Sequence, residues 1–107
     1  MSNKLGNDRD CLTRFVLGRS GVRGALVRLN DTWQGIRQRT DYPTAVESCL
    51  GETCAAAALF TSHIKMEGRL SVQLRGTGVL RTLFAECTTA GTLRGIAHHG
   101  ELLPGRL

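Results

Sequence analysis

Between Asp41 and Gly68 the apolar residues follow a helical period. Val46, Leu50, Cys54, Ala57, Phe60 and Ile64 recur at spacings of three and four, which places them on one face of a long helix. Pro43 suits the first helical position, where its missing N–H is no loss and its fixed φ already fits. Glu47 sets a negative charge near the positive end of the helix dipole. Ala55 to Ala58 favour helix and add little bulk, so a second layer can approach closely. Gly68, after Lys65 and Glu67, is the expected stop. A helix this long with one apolar face needs a sheet or another helix to cover it.

On both sides of this segment the period changes to two. Leu12 to Leu17 is a strand carried by Phe15, Val16 and Leu17, and Gly18-Arg19-Ser20-Gly21 is a turn. Val22 to Leu29 is a second strand, with Val22, Gly24, Leu26 and Arg28 on one face and Arg23, Ala25, Val27 and Leu29 on the other. The two strands predict a β-hairpin. Gly24 weakens its strand unless something must approach closely there. Asn30 or Asp31 can cap a short helix through Arg39, with Trp33 and Ile36 on its inner side. After Gly68, Arg69 to Arg75 alternates without a fault, with Leu70, Val72 and Leu74 on one side. Val79 to Cys87 is a more apolar and therefore central strand, and Thr92 to Ala97 completes an antiparallel meander. The order is strand, strand, helix, helix, strand, strand, strand, which predicts an α+β fold.

Size and composition narrow the class. The 107 residues suffice for one domain, and 41% hydrophobic with 21% charged residues is typical of a folded chain. No apolar run reaches the roughly 20 residues of a membrane span, and the N-terminus has no signal-peptide core, so a cytoplasmic location is expected. Residues 1–11 read as a polar tail and 98–107 as an irregular one. The net charge of +5 comes mainly from arginine. Arg14, Arg23, Arg28, Arg69, Arg75, Arg81 and Arg94 are spread over separate strands, and only Arg37 and Arg39 lie close together. That spread favours solvated strand faces over a nucleic-acid patch.

No catalytic pattern emerges. Gly76-Thr77-Gly78 joins two strands, whereas a phosphate-cradling loop leads into a helix. Ser20 sits in a hairpin turn, not in a strand-to-helix elbow. His98 and His99 are adjacent and point to opposite faces. Glu52 and Glu67 read as solvated or paired with basic residues, and nothing near Cys87 in sequence activates it. Cys11, Cys49, Cys54 and Cys87 form no CxxC. Cys49 and Cys54 lie well apart around the helix axis, so free thiols are expected and not a metal site. No catalytic, cofactor-binding or metal-ligating residue is assigned, and the chain is not expected to be an enzyme.

Taken in order, the motifs are more specific than their parts. RFVLGRSGVRGALVRLNDTW, followed by DYPTAVESCLGETCAAAALFTSHIKMEGRLSVQLRGTGVLRTLFAECTTAGTLRGIA, resembles the redox-regulated heat-shock protein 33 chaperone family over residues 12–97. The shared features are an arginine–aromatic pair, a VRG strand, a YP-initiated helix, a K-x-x-G-x-L-x-x-Q strand and an L-R-G-x-A strand. Val79 stands where proline is usual.

The resemblance implies a stress chaperone that holds unfolding client proteins and limits their aggregation, with self-association or a homodimer. In that family a later domain binds zinc through CxC and CxxC cysteines and switches on oxidation. Those motifs are absent here, so no zinc or switch role passes to Cys11, Cys49, Cys54 or Cys87. The expectation is therefore a single partial domain over 1–107, without a cofactor of its own. The alternative is a small basic module that binds nucleic acid through Arg37, Arg39 and the strand arginines.

Overall fold

In the computed structural model, which describes residues 3–4, 10–64 and 67–100, eight elements follow one another. They are β1 (Asn3–Lys4), β2 (Asp10–Leu17), β3 (Val22–Leu29), α1 (Asp31–Arg37), α2 (Thr44–Thr61), β4 (Arg69–Arg75), β5 (Leu80–Thr88) and β6 (Thr92–His99). The α+β order read from the sequence is the one observed. β2 and β3 form a separate two-stranded antiparallel hairpin, and the other strands form a sheet in the order β1-β6-β5-β4. The meander thus gains a short fourth strand, β1, which pairs with Leu93 and Thr92 at the open edge of β6.

The helix α2 packs mainly on β5 and β6, with lighter contact to β3 and β4. Register explains the match. Leu83, Ala85 and Cys87 of β5 stand opposite Leu74, Val72 and Leu70 of β4 and opposite Ala97, Gly95 and Leu93 of β6. These side chains share one face, the one α2 covers. Val46, Leu50, Cys54 and Ala57 meet them from the helix, and all four are fully buried. Close approach is fixed at Gly95, where a Cβ would lie 2.6 Å from Cys54 Sγ. Alpha helix and sheet therefore touch through a glycine and a small thiol, and a larger residue at either place would force them apart. Trp33 of α1 seals one flank by laying its ring on Gly51 of α2, and Ile36 is buried beneath it.

Several boundaries differ from the sequence pattern. The long helix starts at Thr44, with Pro43 as its N-cap at ψ 149°. The Pro43 carbonyl still accepts the first helical bond, from Glu47 N at 2.9 Å. The helix ends at Thr61, well before Gly68. There Thr61 Oγ1 donates to Ala57 O at 2.7 Å and Ser62 Oγ donates to Leu59 O at 2.5 Å. The Ser62 hydroxyl takes the Leu59 carbonyl that a further turn would use, the Thr61 hydroxyl bonds back onto its own turn, and the chain leaves through short i→i+3 bonds at His63 and Ile64. Lys65, expected in the last turn, lies outside the described residues.

Phe60 was expected on the buried stripe and is 56% exposed. In the last turn the buried positions are Ala58 and Thr61, and Phe60 lies more than a quarter of a turn around the axis from both. Leu74 also stays exposed, because β4 is an edge strand and α2 does not reach its end.

At the N-terminus, Asp10 and Cys11 belong to β2 and not to the polar tail, and Asn3–Lys4 forms β1. His98 and His99 extend β6 beyond Ala97. Residues 1, 2, 5–9 and 101–107 of the two expected tails lie outside the described residues.

Candidate functional site

The hairpin β2–β3 is where the structure leaves apolar surface uncovered. Its register pairs Leu17 with Val22, Phe15 with Gly24, Thr13 with Leu26 and Cys11 with Arg28. Alternation puts these eight positions on one face. The other face carries Val27 and Leu29, which pack against the core beside α2. The first face therefore looks outward. Phe15, Leu17, Val22 and Leu26 on it are 45–59% exposed, and its one charge, Arg28, lies at the end nearest α1. Gly24 allows the Phe15 ring to lie across the strand; a Cβ there would collide with the ring. That contact is the close approach its glycine requires. A two-stranded hairpin without a covering layer is marginal alone. Its inner end is held by Val27 and Leu29, and by Asp10, whose carboxylate accepts from Asn30 N, Thr32 N and Thr32 Oγ1.

The residues examined for chemistry do not converge. Gly76 N donates to Arg81 O at 2.9 Å, closing the β4–β5 connection. Ser20 Oγ donates within its own turn, to Leu17 O. His98 and His99 fall on opposite sides of β6; His99 lies edge-on to Tyr42 with ring centroids 6.4 Å apart. Glu67 is exposed, and Glu52 is exposed on the rim of a hollow of about 440 Å³ beside Trp33. Among the described residues no three metal-ligating side chains come together.

The four cysteines are free. Burial first, then the neighbouring Cys87, pushes the Cys54 thiol up to about 12, and burial also raises Cys87 against a hydrogen bond from Thr61. Both are held as thiols, which suits packing and not nucleophilic attack. Cys49 and Cys54 lie on different faces of α2, one half-buried and one buried.

The arginines also divide. Arg37 pairs with Glu47 at 2.9 Å, and Arg39 Nε donates to Gly35 O at 3.1 Å. Arg94 and Arg69 both reach Glu86, at 3.3 and 4.0 Å, and Arg94 lies over the Phe84 ring. The closely spaced Arg37 and Arg39 are thus engaged locally and form no open basic patch. What the sequence missed is the outward hairpin face. Its alternation was legible, but which face the helix would take was not.

Comparison with known proteins identifies relatives of the chain. The profile of the Hsp33 protein family matches residues 10–106. The 33 kDa chaperonin of Chromobacterium violaceum is 40% identical over 100 residues, covering 94% of this chain and 34% of that protein. The 33 kDa chaperonin of Neisseria gonorrhoeae is 42% identical over 95 residues, covering 89% and 32%. That of Nitrosococcus oceani is 40% identical over 102 residues, covering 90% and 35%. The chain spans about a third of the length of these relatives. A match over nearly the whole chain, with relatives about 40% identical along it, shows that the chain belongs to the Hsp33 family.

Proposed function

We propose that this chain acts as a holdase-type chaperone, binding unfolding proteins and limiting their aggregation without catalysing a reaction. The observation that carries this reading is the outward hairpin face, where Phe15, Leu17, Val22 and Leu26 lie exposed on a flat ladder. An exposed contiguous apolar surface on a folded chain marks an interaction site. Unfolding proteins offer apolar segments, and a flat face of four large side chains accepts many of them without selecting a sequence. The names of the relatives support the same reading.

Two further parts belong to the proposal. The chain self-associates through the open edge of β4, which among the described residues has one unpaired side. Oxidation of Cys54 and Cys87 plays no part in this activity, in the cytoplasm, since both are buried in the helix–sheet core.

The test is light scattering from a thermally unfolding client, with and without the chain, under reducing and oxidising conditions. Suppression is expected under both, and it should weaken in Leu26→Ser and Phe15→Ser. Unchanged client aggregation at molar excess of the chain under both conditions would overturn the reading.

A further inference from the structure

The inner face of the hairpin poses a separate question. Beyond Val27 and Leu29 the distal half of β2–β3 stands off from the body. A cavity of about 650 Å³ opens between it and the residues that follow α2. Arg14, Val16, Arg23 and Ala25 form one wall, with Phe15 and Gly24 at its rim, and Ser62, His63 and Ile64 form the other. A second hollow of about 320 Å³ shares Arg14 and Ile64 and continues past Leu12 to the β5–β6 turn. The two together make an elongated groove along β2.

Its charge is one-sided. Arg14 pairs with Ala25 and Arg23 with Val16, so the two arginines occupy diagonal positions on the same face. Side chains at such positions are within reach of each other, and like charges there oppose one another. The ion pairs among the described residues engage Arg37, Arg69 and Arg94, and none engages Arg14 or Arg23. Among the described residues no acidic one lines either hollow. Cys11 to Leu29 contains four arginines and no acid.

The rest of the groove is mixed: Val16, Ala25 and Ile64 are apolar, with Val16 61% exposed, and Ser62, His63, Thr88 and Thr89 are polar. Among the described residues β2 also has a free edge whose main-chain groups can pair with another strand. An elongated groove with apolar patches and an open strand edge fits an extended polypeptide, and two arginines outside the ion pairs call for carboxylates.

We propose that this groove binds extended segments of client protein in which acidic and apolar side chains alternate, with the carboxylates on Arg14 and Arg23. The proposal rests on the client-binding reading above and adds a location and a charge preference to it. A second copy of the chain is disfavoured as occupant, because it would bring the same arginines against these.

The experiment is fluorescence anisotropy of the 107-residue chain with labelled extended peptides in which Val and Leu alternate with Glu, Lys or Ser. The Glu peptide should bind about tenfold more tightly than the Lys peptide, as expected for two exposed charge pairs. Arg14→Glu with Arg23→Glu should reverse the order, and Arg14→Gln with Arg23→Gln should abolish it. Leu26→Ser, on the opposite face, should leave it unchanged. Circular dichroism checks that each variant is folded. Equal binding of Glu and Lys peptides, or an unchanged preference in the doubly charge-reversed chain, overturns the proposal. If clients are still protected from aggregation in that case, the chaperone reading survives alone. If neither peptides nor clients bind, both readings fall. Displacement of the Glu peptide by an oligonucleotide at lower concentration, or by self-association of the chain, would also overturn it, because the occupant would then be a different one.

Discussion

Asp10 caps α1 from the far end of β2: its Oδ2 accepts both Thr32 N and Thr32 Oγ1 at 2.9 Å, across 22 residues. Its Oδ1 accepts Asn30 N at 2.5 Å. Asn30, the residue in the N-cap position, makes no side-chain cap bond of its own. A buried carboxylate at a helix N-terminus gains from both the N–H groups and the dipole. The same side chain ties the hairpin to the helical layer, so the hairpin and α1 share one anchor.

Asp10→Ala removes the acceptor of three hydrogen bonds at a site with no solvent access. It should destabilise the chain by about 2–4 kcal/mol, and Asp10→Asn by roughly half as much. Urea denaturation followed by circular dichroism measures both. Hydrogen exchange should show the loss concentrated in α1 and the inner half of the hairpin. Loss of less than about 0.5 kcal/mol in Asp10→Ala would contradict the capping role.

That anchor was not legible in the sequence. Asp10 precedes an alternating strand in a polar stretch, and a cap that comes from 20 residues away leaves no local signal. Elements whose pattern is purely local read well: Arg69–Arg75 and Val22–Leu29 occur with the expected bounds. The end of α2 did not, because Ser62 takes the Leu59 carbonyl that a further turn would use, with no glycine involved. Phe60 misled for a related reason: spacing alone does not tell how far the sheet follows the helix. The outward hairpin face depended on the same unknown, namely which layer lies where.

Tyr42 reaches across 55 residues to β6, where its hydroxyl accepts from Ala97 N at 3.2 Å in a buried position. Beyond β1 this edge of β6 has no described partner strand, so the hydroxyl serves a strand N–H that a ladder would otherwise take. Tyr42→Phe should cost about 1–2 kcal/mol in urea denaturation. The Ala97 amide should exchange faster in deuterium oxide, whereas amides paired between β5 and β6 should change less.

Gly95→Ala tests the contact between the two main layers. The added Cβ would meet Cys54 Sγ at 2.6 Å and lie 3.4 Å from both Leu50 Cδ1 and Phe84 O. Neither the short cysteine side chain nor the backbone can step aside, so a loss of about 1–3 kcal/mol is expected. Cys54→Ala vacates the space the methyl needs. The double variant should therefore be more stable than the sum of the single losses predicts, by about 1 kcal/mol. Gly24→Ala serves as a comparison, since its new methyl meets only the exposed Phe15 ring, which can swing outward.

The buried thiols give the chain a characteristic alkaline response. Cys54 ionises near 9.0 when unfolded and is pushed up to about 12 in the fold, by burial first and by Cys87 second. Between those values the unfolded chain releases a proton that the folded chain keeps. The folded state binds more protons, so stability must fall as pH rises. The contribution is fully present below 9.0 and is lost progressively toward about 12, with a slope for this one group of at most about 1.4 kcal/mol per pH unit. Cys54→Ala removes the group and should flatten the decline in urea midpoint above pH 9.0, leaving the smaller share of Cys87. The same burial governs reactivity. Iodoacetamide at mildly alkaline pH should label the half-buried Cys11 and Cys49 first, with Cys54 and Cys87 following only as the chain unfolds. Mass spectrometry of a labelling time course measures the order. Labelling of Cys54 as fast as Cys11 in the folded chain would mean that the helix–sheet core opens far more readily than its packing implies.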